Sequence, residues 1–267
     1  MDMTRAQLSD YVNSLNVVSR KGREEFTSYL WSVWESTGHD MDSLHDAVTM
    51  LAPAIARKYG GSAFAISADL WQTIYTADTG KRMDARRPTV DVDGTLRSSV
   101  RYAFRDGADT DPEKAIYRVG ATVARVILDY ARQTQRQSTT AANRRGEHGE
   151  WARVPTGDKT CAFCLMLASR GFVYRSEETA GGLDPDSYHD DCDCEVVSRF
   201  DGSGVIEGYD PNEYMAMYKA ARDNTPVEAS RRAYESLDPV EKANYKDFWD
   251  YYTKDILSSM RGMYGTH

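Results

Sequence analysis

In Asp111-Pro112-Glu-Lys-Ala-Ile116-Tyr-Arg-Val119-Gly-Ala-Thr-Val123-Ala-Arg-Val-Ile127-Leu-Asp-Tyr130, apolar side chains recur at spacings of three and four residues. That period puts Ile116, Val119, Val123, Ile127 and Tyr130 on one face of a helix. Asp111 supplies an N-cap, and Pro112 sits at the first helical position, where a missing N–H costs nothing. The polar continuation predicts a helix reaching Gln137, the longest in the chain.

Working outward toward the N-terminus, the same period returns in Leu44, Val48, Leu51, Ile55 and Tyr59. Gly60-Gly61 is expected to stop that helix, and Ser62 to cap another carrying Phe64, Ala68, Trp71 and Tyr75 on one face. Residues 4–36 predict one or two helices around Tyr11, Leu15, Val18, Phe26, Leu30 and Val33. After Pro88 comes an extended piece, then a helix through Leu96, Val100 and Phe104 that ends at Gly107. Residues 1–137 thus read as a helical array. Residues 138–150, polar with two glycines, read as a linker.

The texture then changes. Trp151-Ala-Arg-Val154, Phe172-Val-Tyr-Arg175 and Glu195-Val-Val-Ser-Arg-Phe200 are short and extended in character. All four cysteines fall in the 34 residues from 161 to 194, as Cys161-Ala-Phe-Cys164 and His189-Asp-Asp-Cys192-Asp-Cys194. Paired thiols at C-x2-C spacing, answered by H-x2-C-x-C, make a ligand set suited to tetrahedral Zn²⁺. Five candidates, Cys161, Cys164, His189, Cys192 and Cys194, compete for four positions, and spacing does not choose between His189 and Cys192. One structural zinc ion would tie residues 151–200 together, since so short a module buries little core of its own. Residues 201–267 return to helix, starting at Asp210-Pro211 and Asp238-Pro239, with Tyr245, Phe248, Trp249, Tyr252 and Ile256 at helical spacing. The expected fold is mainly α: an N-terminal helical array, a zinc-stapled α+β module and a helical C-terminal tail.

Composition narrows the function. The 41% hydrophobic and 28% charged content fits a folded, helix-rich chain. No run of 18 uninterrupted apolar residues predicts a membrane span, and the first residues show no apolar signal-peptide core, so synthesis in the cytoplasm with reduced thiols is expected. A net charge of −8 argues against a surface that grips nucleic acid throughout. The charge is uneven, however. Residues 176–195 carry eight acids and no Lys or Arg, whereas residues 131–145 carry Arg132, Arg136, Arg144 and Arg145 and no acid. Any contact with DNA is assigned to those four arginines.

A catalytic alternative rests on His148-Gly-Glu150 followed by Cys161-x-x-Cys164, which shares elements with the zinc deaminase signature. Thr160 stands where proline is required, and the reading leaves His189, Cys192 and Cys194 without a role. No G-x-S-x-G, H-E-x-x-H or P-loop is present, so a nuclease or hydrolase reading has no motif behind it. The expectation is a protein without enzymatic activity.

One resemblance extends this reading. Trp151-x-Arg-Val, Thr160-Cys-Ala-Phe-Cys164, Leu167-Ala-Ser-Arg-Gly171, Val173-Tyr and Tyr188-His-x-x-Cys192-x-Cys194 together resemble the minor capsid proteins of tailed phages of actinobacteria. These in turn are similar to head-morphogenesis proteins related to the F protein of phage Mu. Lys58-Tyr-Gly-Gly-Ser-Ala63 and the long helix from Ile116 to Gln137 fit the same pattern. The resemblance implies a virion protein present in few copies, at the portal vertex or inside the head, that aids assembly or accompanies DNA. Its implied partners are the portal or major capsid protein of the same phage, with packaged DNA as a further one. It places Cys161, Cys164, His189, Cys192 and Cys194 at the group's metal-binding positions. Asp190 and Asp193 stand where the wider group has proline and arginine.

Overall fold

The computed structural model describes residues 1–157, 160–175, 192–200, 202 and 204–266. The protein is mainly helical, with a two-stranded sheet, and divides into two compact units. One unit comprises Met1–Trp151, Tyr174–Cys192 and Val196–Glu207; the other comprises Ala152–Val173, Asp193–Glu195 and Gly208–His267.

The first unit is built from α1 (Arg5–Ser36), α2 (Met41–Thr79), α3 (Val92–Ala103) and α4 (Pro112–Asn143). Their starts are set locally. Thr4 and Gln7 form a reciprocal capping box, while Asp40, Asp91 and Asp111 accept from backbone N–H groups three residues on. Helix α4 packs against α1, α2 and α3 and is the common partner of all of them. Its apolar face, Ile116, Val119, Val123 and Ile127, is buried, as are Phe26 and Leu30 of α1 and Leu44, Val48 and Ile55 of α2.

The one or two helices expected over residues 4–36 are one, α1. Two boundaries differ from the sequence expectation. Helix α2 runs through Gly60-Gly61 without a break and carries Pro53 inside it. A Cβ at Gly60 would lie 2.4 Å from ring carbons of Tyr130, so this glycine marks a close approach of α2 to α4, and packing overrides its poor helix propensity. Helix α4 also continues past Gln137 to Asn143, taking in half of the stretch read as a linker.

That continuation is polar and buried. Thr134, Gln135, Ser138 and Thr139 are all fully enclosed. Burying such groups costs free energy unless they are paired, and here a chain of bonds pairs them, Gln135 Oε1 excepted. Tyr11 Oη donates to Ser67 Oγ at 3.2 Å, and Ser67 Oγ to the Ala131 carbonyl at 2.8 Å. Gln135 Nε2 donates to the Ser67 carbonyl at 3.0 Å. Trp71 Nε1 donates to Thr139 Oγ1 at 3.0 Å, which in turn donates to Ser198 Oγ at 2.7 Å. Phe200 closes this region, edge-on to Trp71 and Tyr75, and leaves no space for a side chain at Gly149.

The sheet pairs β1 (Glu150–Pro155) with β2 (Cys194–Arg199). Both strands are buried almost without alternation. Trp151 also bridges to Tyr174, with their rings stacked at 4.4 Å. The second unit contains α5 (Ala162–Ala168), α6 (Pro211–Asp223), α7 (Val227–Ser236), α8 (Pro239–Lys242) and α9 (Phe248–Tyr264). The aromatic periodicity expected from Asp238 onward resolves into α8 and α9, with Asp247 capping α9. Helix α9 packs on α5, α6 and α7 through Phe248, Tyr252, Ile256 and Met260. Tyr252 Oη donates to the Thr225 carbonyl at 3.0 Å. Among the described residues, no helix is long and apolar enough to cross a membrane.

The two glycines of α2 should respond with opposite sign to the same change. Nothing lies within 4 Å of a Cβ at Gly61. Gly61→Ala is therefore expected to stabilise by about 0.5–1 kcal/mol. Gly60→Ala meets the Tyr130 ring and is expected to destabilise, because overpacking of about 1–3 kcal/mol exceeds the propensity gain. Urea unfolding of both variants checks the pair.

Candidate metal centre

Cys161 takes an extended conformation (φ −69°, ψ 153°) at the N-cap of α5, and its Sγ accepts from the Cys164 N–H at 3.3 Å. This turn is the local consequence of C-x2-C spacing, and it leaves Cys164 in the first turn of α5, 1% exposed. The second pair lies at the start of β2. Cys192 and Cys194 are two residues apart, and in extended chain that spacing aims both side chains to one side. The Cys164 and Cys194 sulfurs are 3.1 Å apart, and the sulfurs of Cys164, Cys192 and Cys194 all lie within 4.8 Å of one another. All four cysteines are buried and none is in a disulfide.

Two other residues hold this arrangement together. Asp193 straps the segment before Cys161 to the segment before Cys194. Its carbonyl accepts from Thr156 N at 3.2 Å and also from Thr156 Oγ1, and its carboxylate accepts from Thr160 Oγ1 at 3.1 Å. A Cβ at Gly157 would fall 2.5 Å from that carboxylate, so glycine permits the close passage. Arg153, fully buried on β1, places Nη1 3.7 Å from Cys164 Sγ, with its guanidinium 5.8 Å from the centre of the Phe163 ring. A cation beside a thiol stabilises negative charge on sulfur.

This donor set fits a thiophilic divalent ion. Zinc–sulfur bonds of about 2.3 Å in a tetrahedron hold sulfurs about 3.8 Å apart, and the three sulfurs here, all within 4.8 Å of one another, are close enough to share one ion. Soft thiolates select zinc over calcium or magnesium.

The structure therefore brings together Cys164, Cys192 and Cys194 of the five expected ligands. Cys161 is one turn away at the cap of α5. His189 lies outside the described residues. The roles of Asp193 and Arg153 were not read from the sequence; Arg153 stood only as one position in an extended run. Its full burial in a strand that is buried on both faces has no signature in local periodicity.

The arginines assigned to DNA contact divide. Arg132 and Arg136 are each 1% exposed, so neither forms part of a phosphate-facing surface. Arg132 Nη2 donates to the Cys192 carbonyl at 3.0 Å, and the Arg136 guanidinium lies 5.1 Å from the Trp151 ring centre. A buried guanidinium is satisfied by carbonyls and rings that only the folded chain supplies. Arg144 and Arg145 are exposed.

Glu150, the shuttle of the deaminase alternative, is held between two arginines. Oε1 accepts from Arg175 at 2.7 and 3.1 Å, and Oε2 from Arg199 at 3.0 and 3.4 Å. Burial pushes its pKa up, but the hydrogen bonds from Arg175 and Arg199 outweigh this and hold it below the usual carboxylate value. A proton shuttle is tuned in the opposite direction. A lowered folded-state pKa means that stability from this group is present above its unfolded value, about 4.3, and is lost as pH falls through the lower folded value. Glu150→Gln is expected to cost about 2 kcal/mol at neutral pH. The gap from the parent should narrow as pH falls below the ordinary carboxylate value of about 4.3, which denaturant titrations at a series of pH values will measure.

Comparison with known proteins places this architecture. The gene 15 protein of Mycobacterium phage D29 is 30% identical, over an alignment covering 57% of this chain and 65% of that protein. The gene 15 protein of Mycobacterium phage L5 is 38% identical over 19% of this chain and 29% of its own length. The chain thus spans less than two thirds of the length of either curated relative. No solved structure matches it. A family model described as VG15 protein matches residues 2–221, a span from before α1 into α6 that takes in all four cysteines. The chain belongs to the VG15 protein family, and the relatives named above are bacteriophage proteins.

Proposed function

We propose that this chain is a structural component of the phage particle, a minor capsid protein of the portal vertex or head interior that acts in head assembly or DNA delivery. The family relationship to bacteriophage proteins carries the reading. The buried sulfur cluster supports it from the chemistry. A site enclosed by Arg153, Phe163 and the strands offers no exposed sulfur, and catalytic zinc sites keep an open position for water. The Arg-clamped Glu150 points the same way, since no free carboxylate shuttle is left in the pattern that suggested deamination.

In this reading the cluster holds one structural zinc ion. Cys164, Cys192 and Cys194 supply three thiolates, and Cys161 or His189 the fourth donor. The ion fastens the start of α5 to the start of β2, two short elements with little apolar surface to bury between them. Partners are the portal or major capsid protein of the same phage. A contact with packaged DNA, if made by the arginine stretch, falls to Arg144 and Arg145, the exposed pair.

Purified particles provide the direct test. Quantitative mass spectrometry of mature virions should find this chain at a copy number far below that of the major capsid protein; its absence from both particles and assembly intermediates would sink the virion reading. The metal is tested separately. X-ray absorption at the zinc edge, on protein prepared under reducing conditions, should show three or four sulfurs at about 2.3 Å and at most one nitrogen. Two sulfurs with light oxygen donors would instead favour a zinc-dependent enzyme acting on nucleic acid. Cys164→Ser with Cys194→Ser should abolish zinc binding and lower the thermal midpoint. A strong chelator should lower it too, by an amount equivalent to about 4 kcal/mol where free zinc had stood at a thousandfold above its Kd.

A further inference from the structure

A groove of about 470 Å³ lies between α2 and α3, away from the cysteines in sequence and built within the first unit. Its floor is apolar, from Leu96 and Val100, both nearly fully buried. Its rim carries Arg97 and Arg101, one helical turn apart on α3 and both exposed. Other arginines of this surface are engaged. Arg57 pairs with Asp93 at 2.5 Å, and Arg105 and Arg118 both lie over the Tyr102 ring. Among the described residues, Arg97 and Arg101 have no such acid or ring. Asp93, the acid that lines the groove, is taken by Arg57.

The opposite wall is α2, where Thr49 and Pro53 line the groove. The groove thus presents two cations and an apolar floor within a volume suited to one or two side chains.

We propose that this groove binds an acidic peptide segment of a partner protein, with two carboxylates on Arg97 and Arg101 and an apolar side chain over Leu96 and Val100. DNA matches the two cations only, since it has no apolar side chain for the floor. The inference is independent of the metal site.

The test uses the full chain and a fluorescein-labelled ten-residue peptide of alternating glutamate and leucine, read by fluorescence anisotropy. Binding should weaken as salt rises. Arg97→Gln with Arg101→Gln, both on exposed side chains, should raise Kd at least about tenfold with the melting temperature unchanged. A peptide of the same length and charge with serine in place of leucine should bind more weakly, because it has nothing to set on the apolar floor. No binding of the glutamate–leucine peptide, or equal affinity in the arginine variant, overturns the proposal. So does equal affinity for the glutamate–serine peptide, or a ten-base-pair DNA duplex that displaces the peptide at lower concentration than unlabelled peptide does.

Discussion

A helix whose second half is polar can be buried only where most of its polar groups meet partners, and α4 lives under that constraint. Between Ala131 and Ala142 one face of the helix, with Thr134, Gln135, Ser138 and Thr139, is enclosed, although its side chains are those of a solvated surface. Ser67, Trp71 and Ser198 convert that liability into order: each supplies one end of a hydrogen bond that has no other place to go. Directional bonds of this kind specify one arrangement more sharply than apolar contact does. The positions of α2 and β2 on α4 follow from them, as does the conformation of the chain around Gly149 and Phe200.

The sulfur cluster obeys a related rule. Short elements bury little apolar surface between them, so α5 and the start of β2 are joined by small, strong links. Asp193 is informative here. Its carboxylate and carbonyl both serve to strap the two cysteine pairs together. Arg153 then supplies positive charge inside, next to Cys164.

The residues that the sequence offered for other tasks are engaged internally: Glu150, the shuttle of the deaminase alternative, in a double arginine clamp, and Arg132 and Arg136, assigned to DNA, on the Cys192 carbonyl and over Trp151. The exposed groove of α2 and α3 differs, since its arginines face outward, and it is there that the first unit keeps unspent recognition capacity.

Much of the architecture was legible in the chain because its causes are local. The three-four period of Ile116 to Tyr130, the caps at Asp40, Asp111 and Asp210, and the C-x2-C turn each depend on residues within one or two helical turns. The mainly helical class, the short extended pieces on either side of the cysteines and the grouping of the thiols follow from such patterns. Tertiary structure decided the rest, through partners distant in the chain. Gly60 stays helical because Tyr130 needs its missing side chain, and Ser67 accepts Gln135 across 68 residues. The polar run past Gln137 is helical and buried for the same reason, and Arg132 and Arg136 turn inward with it. Period and propensity act over a few residues, whereas the cost of burying a polar group is settled by whatever the fold brings beside it.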